Sequence, residues 1–159
     1  HHIMNAATTW NELDRRVPDV RGVWYVPQAS WYLFQAVSIK QRYAGHAMQA
    51  GLLAASGIRG RIIVIVDDDV DPSDLTQVLW ALSCRVDPEK DIHILPEAQI
   101  SMSDPQGFVK NLAGVPATAL TSSKIIITAC KPFELKDKFP AQNIISPELR
   151  KKVTEKYKL

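Results

Sequence analysis

Cysteine, glycine and long apolar runs are all scarce in this chain of 159 residues. Its two cysteines, Cys84 and Cys130, lie far apart with no Cys-x-x-Cys or Cys/His metal spacing, which reads as reduced core thiols and a cytoplasmic location rather than a disulfide scaffold. No apolar stretch approaches the roughly 20 residues a membrane-spanning helix needs, so no membrane partner is expected. Neither sign of charge dominates: 19 Lys and Arg stand against 17 Asp and Glu, and the basic residues are scattered until the C-terminal segment, which is no nucleic-acid footprint. The chain has no Gly-x-Ser-x-Gly elbow, no Gly-x-x-x-x-Gly-Lys-Ser/Thr phosphate loop and no Gly-x-Gly-x-x-Gly. Apart from the opening His1-His2, its only histidines are His46 and His93.

A composition of 46% apolar and 23% charged residues fits one globular domain with a substantial core. His1 to Met4 reads as a polyhistidine-tag remnant and cloning junction, leaving residues 5–159 as the domain. Thr9-Trp10-Asn11-Glu12 fits a capping box, predicting a short helix over 10–16. Residues 20–26 and 31–39 are rich in β-branched and aromatic side chains and predict two strands, the second central in the sheet. Ala47, Met48, Leu52 and Ala55 recur at helical spacing, with small residues that let the helix lie close to a sheet. Ile62 to Val66 is an apolar run without alternation, the pattern of a strand covered on both faces. Asp71-Pro72 predicts the start of a helix carrying Leu75, Val78, Leu79 and Leu82 on one stripe. Further strands are expected at 92–95 and 124–129. Residues 96–123 show no firm pattern and are expected to be irregular. A last helix follows Ser146-Pro147-Glu148, its thin stripe of Leu149, Val153 and Tyr157 suited to docking on something else. Strands alternating with helices predict an α/β fold, a three-layer α/β/α sandwich with a mostly parallel or mixed sheet.

Two stretches could carry chemistry. Asp67, Asp69 and Asp71 imitate the start of an EF-hand loop, but Pro72 stands where its glycine belongs and Val78 where its glutamate belongs. What remains is either a two-carboxylate magnesium site at a strand end or the polar exit of a buried strand, with Asp71 and Asp74 complementing the next helix. The second stretch is Ser38-Ile39-Lys40-Gln41-Arg42-Tyr43-Ala44-Gly45-His46, a strand end with two cations before a helix start. It reads either as an anion-holding turn or as a solvated basic one.

Val37 to Ala47, Val64 to Asp71 and Val78 to Glu89, taken in order and spacing, resemble the C-terminal domain of the UbiD family of decarboxylases. Ser123 to Ala129 and Ser146 to Arg150 extend the likeness. The resemblance implies a non-oxidative carboxy-lyase that reversibly decarboxylates an aromatic, hydroxybenzoate-like acid or an α,β-unsaturated acid. Its cofactors would be prenylated FMN, Mn2+ and K+ in the full-length enzyme, with none expected on this chain alone. The family's Arg-Glu-Glu catalytic set and metal ligands belong to an upstream flavin-binding domain with no counterpart here, so the chain alone is expected to be inactive. Lys40 inherits a contact to the flavin phosphate. His46 and Leu82 inherit places on the substrate pocket. Expected partners are the flavin-binding domain, the acid substrate and a homo-oligomer joined through the C-terminal helix. A stand-alone assembly subunit or phosphate-binding α/β module is the alternative. Met48 stands where family members carry lysine.

Overall fold

A computed structural model describes residues 2–140 and 147–157, with the side chains of His2, Pro147, Leu149, Arg150 and Val153 outside that description. One five-stranded sheet organises them: β1 (Val20–Tyr25), β2 (Phe34–Ile39), β3 (Ile62–Asp67), β4 (Ile92–Gln99) and β5 (Thr121–Ala129), in the order β1-β2-β3-β5-β4. The three inner strands run parallel, and the two edge strands pair antiparallel to their neighbours, so the sheet is mixed. β3 is the middle strand, with β2 beside it, and four of its residues, Ile63 to Val66, are fully buried. Its continuous apolar run is what covering on both faces requires.

On one face lie α1 (His2–Asp14) and α2 (His46–Ala55), packed over Val37, Ile39, Ile63, Ile65 and Ile126. On the other lies α3 (Leu75–Arg85), whose Val78 and Ala81 meet Ala36, Val64, Val66 and Ala129. The expected three-layer α/β/α sandwich is therefore present. The small residues of α2 set its distance to the sheet: a Cβ on Gly51 would stand 2.4 Å from Ile126 Cγ2 of β5.

Several boundaries differ from the sequence expectation. Helix α1 begins at His2, within the residues read as a tag remnant, and Thr9 is therefore interior, bonding the Tyr25 hydroxyl at 3.1 Å instead of capping. The segment from 96 to 123 is ordered by pieces: β4 continues to Gln99, α4 is the short turn of helix Pro88–Asp91 before it, and α5 (Pro105–Leu112) follows. Its prolines mislead because Pro96 sits on an edge strand and Pro105 at the first position of a helix capped by Asp104, both places where a missing amide is tolerated. The last helix, α6 (Pro147–Tyr157), forms where expected, while Ser146 and two members of its stripe, Leu149 and Val153, lie outside the described residues and side chains. Among the described residues no helix is long and apolar enough to cross a membrane.

Candidate functional site

Because β2, β3 and β5 are parallel, their carboxyl ends share one edge of the sheet, and Lys40, Asp67 to Asp69 and Lys131 converge there. That edge is where open α/β sheets gather ligands. Asp67 ends β3 and is buried; one carboxylate oxygen accepts from Gln41 Nε2 at 2.7 Å. The other accepts from the Lys131 backbone amide at 2.7 Å and from Arg85 Nη1 at 3.1 Å. Asp69 accepts both prongs of the Arg85 guanidinium, at 2.9 and 2.8 Å, and Lys131 Nζ at 2.6 Å. The Arg85 side chain has no exposed surface and lies 4.9 Å from the centre of the Trp80 ring. A planar fork bridging two carboxylates while stacked on an indole is geometry that arginine supplies and lysine does not.

The same contacts tune the acids in opposite senses. Burial pushes the Asp67 carboxyl up, against the pull of the Lys131 amide, Gln41 and Arg85. Burial also works on Asp69, but hydrogen bonds from Arg85 and Lys131 outweigh it and hold that carboxyl below its usual range. With their lone pairs committed to cations and amides, Asp67 and Asp69 form the polar exit of a buried strand. Among the described residues no three His, Cys, Asp or Glu side chains are grouped to hold a metal ion. Asp71 does not cap the following helix: it accepts from Ser73 in a tight turn, and Asp74 is the cap, accepting from the Thr76 and Gln77 amides at 2.9 and 3.4 Å.

Lys40, the first residue past β2, is exposed, and its backbone amide donates to the Asp19 carbonyl at 2.9 Å. Its ammonium has no hydrogen bond or ion pair among the described residues, and it lines a hollow of about 140 Å³ with Gln41, Asp67, Asp68, Lys131, Lys136 and Asp137. Arg42, by contrast, is committed to Asp19, whose carboxyl that guanidinium holds below its usual range.

His46 is placed inside the protein, at 0% exposure, and not on a surface that a substrate could reach. Its Nδ1 accepts the Arg42 amide at 3.2 Å, which puts the proton on Nε2, and its ring stacks on Tyr43 with centroids 4.6 Å apart. Nε2 has no hydrogen-bond partner within range among the described residues, and burial keeps the imidazole's pKa down against an opposing pull from the Pro18 backbone. His46 thus orders the turn from Lys40 to Gly45, where Gly45 takes a left-handed φ of 84° before α2. Leu82 is half-buried and packs against the α3-side core.

Sequence reasoning missed Arg85, Lys131 and Tyr43. Arg85 had a signal: it follows Val78 by two helical turns, so a charge falls on the apolar stripe of α3 and demands a buried acid. Lys131 had none, because only the pairing of β3 with β5 brings it to Asp69.

Residues 1–129 match the family described as the 3-octaprenyl-4-hydroxybenzoate carboxy-lyase C-terminal domain. A phenolic acid decarboxylase of Escherichia coli is 33% identical over 138 residues, 82% of this chain and 27% of that protein. A protein of Archaeoglobus fulgidus is 33% identical over 104 residues, 61% of this chain and 21% of its own length. Among solved structures, the UbiD-class enzyme HmfF from Pelotomaculum thermopropionicum, in complex with FMN, superposes with a TM-score of 0.75 at 24% identity, over 94% of this chain and 32% of that one. Vanillic acid decarboxylase of Sedimentibacter hydroxybenzoicus, in an open form, superposes at 0.69 with 26% identity, over 96% of this chain and 32% of that one. The chain spans about a third or less of the proteins it matches. With the Lys40 turn, the acidic exit of β3 and the sheet order all falling within the matched region, the chain belongs to the UbiD carboxy-lyase family, in the part that forms its C-terminal domain.

Proposed function

We propose that this chain works as the C-terminal domain of a decarboxylase that releases carbon dioxide reversibly from an aromatic, hydroxybenzoate-like acid or an α,β-unsaturated acid, together with an upstream flavin-binding domain. Its contribution is a phosphate contact through Lys40, one wall of the active site, and contacts to further subunits through α6; by itself it does not turn over. Prenylated FMN, when bound, supplies the electron sink for loss of carbon dioxide, and Mn2+ and K+ sit with it in the upstream domain.

The observation that carries this reading is the free ammonium of Lys40 at the carboxyl edge of parallel strands. It fits one oxyanion of a phosphate: a compact cation beside the turn into α2, with no carboxylate of the described residues in an ion pair with it. The hollow around it fits less completely, since its three lysines are matched by Asp67, Asp68 and Asp137. A dianion there needs donors from other polypeptide, as a domain that shares its site would require. Asp67 and Asp69 are not free to ligate a metal, which agrees with metal ligands lying upstream. His46 acts on this edge from within, by fixing the turn, and Tyr43, stacked on it and 39% exposed, offers the turn's aromatic surface. Leu82 supports the opposite core face behind the pocket wall.

The test is to prepare this chain joined to its flavin-binding domain and compare flavin retention with Lys40→Ala. Loss of one charge-assisted contact should weaken retention by about 10- to 100-fold. Retention unchanged in the variant would remove Lys40 from the site, and absence of carbon dioxide release from any aromatic or unsaturated acid would remove the activity. One observation favours a stand-alone assembly subunit as the second reading: Phe108, Val109 and Leu112 of α5 are exposed together. A natural polypeptide no longer than this chain, bound stably to a separate protein, would support it.

A further inference from the structure

Away from the carboxyl edge, a second cavity of about 280 Å³ lies between α1 and the loop that follows α2. Three of its lining residues are Arg15, Arg16 and Arg59, and none of their guanidinium groups has a hydrogen bond or ion pair among the described residues, of which Glu12 is the one acid in the lining. Elsewhere in the described protein, Arg21, Arg42, Arg61 and Arg85 each hold an aspartate. Three arginines lining one concave site without a counter-ion leave it with an excess of positive charge that a bound anion would balance.

The remaining walls set the body of that anion. Leu13, Leu53 and Ile58 are apolar, and Tyr25, whose hydroxyl bonds that of Thr9, also belongs to the lining though only 2% exposed. Arg59 and Glu12 are both near enough to the Tyr25 hydroxyl to act on its ionisation. The end of α2 would ordinarily repel an anion through its carbonyls, but the Lys124 ammonium donates to those of Ala55 and Arg59, at 3.0 and 3.2 Å, and to that of Gly57. The cavity volume is at the small end of ligand pockets, about 300 Å³.

We infer that the cavity between α1 and α2 binds a small aromatic or branched carboxylate, its oxyanion held by Arg15, Arg16 and Arg59 and its apolar body set against Tyr25, Leu13 and Leu53. The site is separate from the Lys40 edge, and the inference does not depend on the flavin.

Benzoate, benzyl alcohol and inorganic phosphate, each titrated into the 159-residue chain and followed by nuclear magnetic resonance of backbone amides, test it. Benzoate should give saturable shifts at residues 9–16 and 53–59, with benzyl alcohol and phosphate each at least tenfold weaker. Arg59→Gln and Arg16→Gln should each weaken benzoate by about tenfold or more, the range for removing a charged hydrogen-bond donor. Arg59→Lys should recover part of the loss, and Lys40→Ala should leave the affinity unchanged. An unchanged thermal midpoint in the glutamine variants separates lost binding from lost fold. The inference fails if benzoate gives no saturable shifts there, if either glutamine variant binds as the parent does, or if Lys40→Ala abolishes the response. Phosphate binding as tightly as benzoate would overturn the carboxylate assignment and leave a general anion site.

Discussion

Arg85 is the residue on which the acidic exit of β3 depends. It is charged, unexposed, and shared between Asp67 and Asp69, so removing it leaves a buried carboxylate without its guanidinium. Arg85→Met is expected to cost about 3–5 kcal/mol, the usual penalty for breaking one side of a buried pair, read as a drop in the urea midpoint. Arg85→Lys should recover only part, because an ammonium cannot serve both acids in the fork geometry. A double replacement of Arg85 and Asp67 by apolar residues should be milder than the single one, since it leaves no uncompensated charge at that position.

Lys124 gives a titration with a defined sign. Its side chain is 1% exposed, and burial pushes its pKa down to about 8 from the ordinary 10.5. Between those values the unfolded chain still holds a proton that the folded one has released. The contribution of this group to stability therefore rises with pH across that window, by up to about 1.4 kcal/mol per pH unit for one proton. Below it the penalty for burying the ammonium is fully present. Comparing unfolding free energies of the parent and Lys124→Met from pH 7 to about 10.5 should show the parent gaining on the variant as pH rises. Parallel profiles would mean that the three carbonyls around the ammonium hold its proton as firmly as water does.

At the level of elements, the helix starts and the helix-to-sheet distance are each governed by one or two side chains. Asp74 caps α3, and Asp74→Ala should lower stability by about 1 kcal/mol while Asp71→Ala, which removes only a turn contact, should cost less. That contrast is the correction to the sequence expectation in measurable form: proline at the first helical position is a common start, but here Pro72 belongs to the turn before the cap. Gly51→Ala should cost about 1–3 kcal/mol, because its methyl group would meet Ile126 of β5 and α2 would have to rise from the sheet. Pairing it with Ile126→Ala, which removes the clashing Cγ2, should cost less than the sum of the two single changes, and an additive result would place the strain elsewhere. The segment from 96 to 123 carries the same lesson as Asp74. Read by composition it is proline-rich and aperiodic, yet an edge strand and a short capped helix tolerate those prolines, and tertiary contacts hold them: Gly107 packs so tightly that an added Cβ would stand 2.4 Å from the Ser101 carbonyl oxygen.

For the molecule as a whole, the expected behaviour is a domain that folds and melts cooperatively without turning over. Near-ultraviolet circular dichroism and a thermal scan should show one sharp transition for this chain, with no carbon dioxide release from aromatic acids until a flavin-binding domain is supplied. Turnover by the isolated chain would overturn the division of labour proposed above.

The amino-acid pattern by itself determined the α/β class, the position of every inner strand, and the family, because apolar runs, small-residue helices and the two polar strand exits are local features spelled out in consecutive residues. Only the tertiary structure decided which charges meet and which side chains see solvent. Arg85 reaches Asp67 because α3 folds back over the sheet, His46 turns inward while Lys40 stays outside, and three arginines from the segments just after α1 and α2 line one cavity. Such contacts join residues distant in the chain, and their energies depend on burial, which is a property of the packed sheet and helices and not of any short stretch of sequence.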